Sequence, residues 1–162
     1  MTQVWHHGIL DVLFKVLWGI AMAFKSTTFY YLDSGVGAGM PNARPDVMLV
    51  QFFLKELMNH MDFKPSRPTG ADITVDGKFG NQTETWIRAF QAHLKSKGKA
   101  VVVDGKVSPA RGYQAKTATN TPYTLAHMNA SFRKRWRGDH DNLDQCSRVP
   151  PEIRAALGDY RS

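Results

Sequence analysis

A mainly α fold, with a three-helix core joined by short extended turns, follows from three apolar stripes that recur at helical spacing. Val47, Val50, Phe53, Leu54, Leu57 and Met58 make the first, on a helix expected over about Pro45 to Met61. Trp86, Ile87, Phe90 and Leu94 make the second, with Arg88, Gln91, Lys95 and Lys97 largely off it. Leu125, Met128, Phe132 and Trp136 make the third. The chain of 162 residues suits one domain with an appendage, and its hydrophobic fraction of 43% is enough for a real core.

The first element precedes that core. Residues 9–24 are the most apolar stretch, with Gly8, Asp11, Lys15 and Gly19 leaving one narrow polar stripe on a helix. A membrane span needs about 20 apolar residues, and this run is short and carries two charges. No Lys or Arg precedes it and no cleavage pattern follows, so a cleaved secretory signal is not expected. The expectation is a helix buried against the domain or another subunit, with a membrane-surface helix as the alternative. Thr27 to Leu32, rich in β-branched and aromatic residues, reads as a short strand or extended segment. The glycines at 35, 37 and 39 form a loop without the third glycine or the lysine that phosphate binding needs.

The most informative segment is Asp76-Gly77-Lys78-Phe79-Gly80 followed by Asn81 to Gln91. Gly77 suits a tight turn because it takes positive φ without a Cβ clash, and the Asp76 carboxylate can accept backbone N–H bonds. Phe79 is the expected apolar plug under the loop. Asn81 as N-cap and Glu84 three residues later make a capping-box pattern, so a helix should begin near Gln82. Gly98 is the expected stop. A weak echo follows in Val103-Asp104-Gly105-Lys106-Val107, which lacks the next glycine and reads as a repeated turn rather than a second ligand module.

Residues 113–121 read as a polar loop. Thr121 with Pro122 should start the third helix and Gly138 should end it, with Arg133, Lys134, Arg135 and Arg137 complementing the dipole of its last turn. A short helix after Pro150-Pro151 should bury Ile153, Leu157 and Tyr160.

The Asp-Gly-x-Phe-Gly-x-x-Thr pattern before a helix ending in Phe90-Gln91 resembles the signature of the peptidoglycan-binding-domain-like family. Asp46-Val47-Met48-Leu49-Val50-Gln51-Phe52-Phe53-Leu54 resembles that family's first helix, and Val36 to Asn42 its glycine-rich lead. Asp104 to Gly112 and Tyr123 to Asn129 look like the extended variants in secretion-associated and phage-like proteins. The resemblance covers roughly residues 30–137. Trp86 departs from it, standing where the family has a small residue. The segment with Pro65, Pro68 and Gly70 is also long. The resemblance implies a three-helix bundle with added N- and C-terminal helices: an N-terminal part over 1–34, a core over 35–112 and a completing extension over 113–162. It further implies a surface groove for a peptidoglycan stem peptide, whose recognition needs polar groups for amides and carboxylates beside an apolar wall for alanine methyls. Gln51, Asp76, Phe79, Trp86, Arg88 and Gln91 are the candidate ligand-binding residues, with Asp76 and Phe79 mainly architectural.

Composition narrows the function classes. The net charge is +7, and residues 61–162 carry all of the excess, with 17 basic against 10 acidic groups. Such a surface draws polyanions, including carboxylate-rich cell wall, nucleic acid and anionic lipid. Cys146 is the only cysteine, which rules out an intrachain disulfide, and it has no His and acid partners for nucleophilic chemistry. The six histidines lack metal-ligand spacing, and Asp139, His140, Asp141 and Asp144 read as a solvated turn. No catalytic residue, cofactor or metal is expected. The leading expectation is a noncatalytic cell-wall binding module in the periplasm or cell envelope, exported without a cleaved signal, with a cytoplasmic place left open. The alternative is a structural or adaptor protein of a secretion-system or phage-tail-like assembly, contacting protein through residues 9–24. Nucleic acid ranks third, because Trp136 fits a buried stripe.

Overall fold

A computed structural model describes residues 28–157. The expected helix over 9–24 and the burial of Tyr160 lie outside the described residues. The five helices described are α1 (Arg44–Asn59), α2 (Asn81–Ser96), α3 (Thr124–Arg135), α4 (Arg137–Asp141) and α5 (Pro151–Ala156). Short 3-10 turns occur at Lys64–Ser66 and Leu143–Gln145.

The three apolar stripes fall on helices and meet in one core, except that Trp136 of the third lies at the α3 C-cap and is only partly buried. Val47, Val50, Phe53, Leu54, Leu57 and Met58 are buried on α1, as are Ile87, Phe90 and Leu94 on α2 and Leu125, Met128 and Phe132 on α3. Phe52, Phe53 and Phe132 interlock with centroids 5.4 to 6.0 Å apart, the tilted spacing that aromatic quadrupoles favour. The same core takes in Phe29, Tyr30, Leu143, Val149 and Ile153, so the stretches before and after the three helices complete it.

Several boundaries differ from the sequence reading. Helix α2 starts at Asn81 itself, with Gly80 in the cap position and no side-chain cap. The capping box does not form because Glu84 is held by Arg88 one turn on, at 2.8 and 3.0 Å. Its other end closes as expected: Gly98 (φ +73) donates its N–H to Lys95, and Lys99 donates to Leu94. That bond pair is the Schellman arrangement. Helix α3 begins at Thr124, after a turn in which Lys116 bridges Pro122 and the Thr117 N–H bonds the Thr121 carbonyl. It ends at Trp136 rather than Gly138, and Gly138 lies inside α4. The expected solvated turn over 139–144 is therefore partly helical, with His140 fully buried. Cys146 is buried too.

Two buried polar side chains on helices tie down the extended segment that precedes α1. Asp46 accepts the N–H groups of Asp33 (3.1 Å) and Ser34 (2.9 Å) and the Ser34 hydroxyl (2.6 Å). Asn129 accepts the Tyr30 N–H and donates to the Tyr30 carbonyl, both at 2.9 Å, doing for an extended segment what a neighbouring strand would do. A single antiparallel bridge, Val36 to Val107, joins the entry loop to the second Asp-Gly turn.

Candidate functional site

The signature turn is organised by one side chain from another helix. Gln51 on α1 accepts the Asp76 and Gly77 N–H groups at 3.1 and 2.8 Å through Oε1. Its Nε2 donates to Asp76 Oδ1 (3.0 Å), the Lys78 carbonyl (3.1 Å) and Thr83 Oγ1 (3.0 Å). The Lys78 N–H closes the turn on Asp76 Oδ1 at 2.9 Å. This N–H and the Gln51 amide, both donating to the carboxylate, hold the Asp76 carboxyl below its ordinary range despite desolvation.

The echo at 104–106 is a full copy of that device. Gln91 on α2 accepts the Asp104 and Gly105 N–H groups at 3.1 and 2.9 Å. It donates to Asp104 Oδ1 (3.0 Å), the Lys106 carbonyl (2.9 Å) and Thr124 Oγ1 (3.0 Å), while Lys106 N–H bonds Asp104 Oδ1 (2.9 Å). The register is conserved as well. A Cβ on Gly77 would meet Arg44 and Met48, seven and three residues before Gln51; one on Gly105 would meet Glu84 and Arg88, seven and three before Gln91. Each Asp-Gly turn thus packs on the same face of the helix that supplies its glutamine.

This arrangement fixes the roles of the sequence candidates. Gln51 and Gln91 are 1% and 0% exposed with both amide atoms engaged, so neither offers a surface contact. Asp76 faces Gln51 and its own turn. Phe79 is half-buried against the core, as a plug should be. Trp86 is 2% exposed, so no exposed part of its ring awaits a ligand, and the Arg67 guanidinium lies 5.3 Å from the ring centre. The cleft beside it, about 240 Å³ between Pro68, Ala71 and Gln82, has no charged lining residue. Arg88 is half-exposed, paired with Glu84 and directed at the Val103 carbonyl at 3.4 Å. The structure gathers Gln51 and Asp76 at one turn and sets Gln91 and Arg88 around the other.

A different surface has the form of a binding site. Between the C-terminal half of α2 and α3 lies a groove of about 490 Å³. Phe63 and Leu94, both buried, line its interior with Ala130. Lys97 and Lys99 come from the α2 end, and Lys134 and Arg135 from α3. Asp62 is the one acidic lining residue, and Arg135 bonds it at 2.5 Å and holds its carboxyl below the usual range. Among the described residues, Lys97, Lys99 and Lys134 form no ion pair.

Three polar side chains complete the lining: His93, His127 and Ser131. His93 Nδ1 shares a 2.9 Å hydrogen bond with the Ser66 hydroxyl, and burial, then Lys97 and Arg135, push its pKa down. His127 donates from Nε2 to the Ala100 carbonyl at 3.2 Å, and burial likewise lowers its pKa. Burial thus disfavours the charged form of both rings, and Lys97, Lys99 and Lys134 are the groove cations with no ion-pair partner among the described residues.

None of these groove residues was among the ligand-binding candidates, although Lys134 and Arg135 belong to the basic Arg133 to Arg137 cluster of the third-ranked nucleic-acid reading. The available signal was two basic runs, Lys95-Ser96-Lys97-Gly98-Lys99 and Arg133 to Arg137, each readable alone as an ordinary helix end. Their meeting across one hollow depends on α2 and α3 both packing against α1. Among the described residues no helix is long and apolar enough to cross a membrane. No family model, curated protein or solved structure matches the chain.

Proposed function

We propose that this chain is a noncatalytic cell-wall binding module of the bacterial envelope, in which the twin glutamine-held turns build the scaffold and the groove between α2 and α3 receives the wall's peptide. The observation that carries this reading is the groove itself: unpaired lysines line it together with the apolar side chains of Phe63, Leu94 and Ala130. A stem peptide offers carboxylates and alanine methyls, which such a lining complements in charge and in polarity. The family resemblance supports the same reading, since Gln51 and Thr83 of its motif hold the turn that the motif marks. The reading places the protein in the periplasm or cell envelope.

A second reading is favoured by the apolar sequence of residues 9–24, which a wall-binding module has no need of. It makes the chain an adaptor in a secretion or phage-tail-like assembly, using this fold for protein contacts. Co-sedimentation of the full chain with purified sacculi, at low and high salt, separates the two. The wall reading expects retention that weakens but persists at high salt, because the apolar interior of the groove is not screened. No retention at either salt would overturn it in favour of the adaptor.

A further inference from the structure

We propose that the groove between α2 and α3 selects peptides by their free carboxylates, with Lys97 on one wall and Lys134 on the other as the specificity-determining residues; this rests on the wall reading above and narrows it to stems whose side carboxyls are not amidated. The lining offers an anion single-point cationic contacts, and on the wall reading the anions are stem-peptide carboxylates. Backbone N–H groups and the planar fork of arginine are the multi-point anchors for oxyanions. Here the N–H groups of Lys97, Gly98 and Lys99 are spent on the helix stop, donating to carbonyls of residues 93–95. The one arginine in the groove, Arg135, is spent on Asp62, on the Ser131 carbonyl at 2.9 Å and on His60. What remains is lysine, a point charge that accepts a carboxylate in any orientation.

The interior supplies the second half of the selection. The exposed Ala130 methyl, together with the small exposed edges of Phe63 and Leu94, is the apolar surface that a small side chain between two carboxylates would meet. Amidation leaves that contact intact while removing the charge, so the preference for the free acid isolates the lysines from the apolar contact.

The test is a titration of the full chain at pH 7 and low salt with two synthetic stem peptides of one sequence, carboxylates free in one and amidated in the other. We expect the free form to bind about tenfold more tightly, the scale of one or two partly exposed charge pairs. A Lys97→Glu/Lys134→Glu double variant should erase the preference. Lys95→Glu, which alters an exposed lysine outside the groove lining, should keep it. Circular dichroism confirms that each variant is folded. Equal binding of the two peptides, or an equal loss from Lys95→Glu and from the double variant, would overturn the inference. So would retention on sacculi with no binding of either peptide, although the wall reading would then stand. Preference for the free peptide without retention on sacculi would leave the carboxylate site in place and remove the wall reading.

Discussion

A methyl group added at three glycines of positive φ separates backbone strain from packing. Gly98, Gly105 and Gly77 have nearly equal φ, at +73, +72 and +71. Alanine in that region costs roughly 1 to 2 kcal/mol at any of them. At Gly98 nothing lies within 4 Å of the new Cβ, so the strain is the whole effect. At Gly105 the Cβ comes to 2.9 Å from Arg88 Nε and 3.0 Å from Glu84 Cγ, side chains that can swing at the expense of their own ion pair. At Gly77 it reaches 2.6 Å from Arg44 Cγ, 2.8 Å from Met48 Cγ and 3.0 Å from the Arg44 carbonyl, a backbone atom that cannot turn aside. Urea unfolding should rank Gly98→Ala below Gly105→Ala below Gly77→Ala, the last losing about 3 kcal/mol. Equal losses at 77 and 98 would mean that the turn does not rest on α1. At this scale the sequence was legible for the backbone and less so for the side chains. Gly77 and Gly98 announce themselves because glycine adopts such φ angles more readily than any residue with a Cβ. Gln51 and Gln91 do not, since a glutamine reads as polar surface until the turn it satisfies is in place.

Helices were legible as stripes and at the α2 stop, and less legible in the capping at the α2 start and in the α3 end, for one physical reason. A stripe is a local property of spacing, whereas an end depends on which groups compete for the terminal atoms. Asn81 and Glu84 match a capping box, yet Arg88 captures Glu84, and Thr83 is engaged by Gln51 from another helix. The region after α3 was misread as solvated for a similar reason: Asp139 and Asp141 are held by arginines on either side, and one of these, Arg148, reaches across to α1. Arg148 joins Glu56 of α1 to Asp139 of α4, and its guanidinium lies 4.9 Å from the Trp136 ring centre and 5.7 Å from that of Phe132. Burial works against the charge on Arg148, while Glu56 and Asp139 hold its pKa above the ordinary value. One side chain thus links the segment leading into α5 with two other helices. Arg148→Ala should raise amide hydrogen exchange in α4 and α5 by about tenfold and leave α2 unchanged, as expected for local rather than global opening. Uniform acceleration through all helices would show instead that the clamp supports the whole fold.

Across the whole molecule, the two glutamine-held turns divide labour with the groove. The turns consume the polar atoms of the signature: Gln51 and Gln91 are buried, and the carboxylates of Asp76 and Asp104 face inward to their own turns. In the proposed function, recognition falls to side chains from two elements that meet only in three dimensions, Lys97 and Lys99 after α2 with His127 and Lys134 on α3. A sequence pattern records the first role well, because the turn needs fixed residue types at fixed spacing. It records the second poorly, because any exposed lysine run reads as a solvated helix end. The most direct test of this division is an amide NMR titration of the full chain with a free-carboxylate stem peptide. Shifts concentrated at residues 93–99 and 127–135 are the predicted result; shifts concentrated at 76–91, with the groove unmoved, would contradict it.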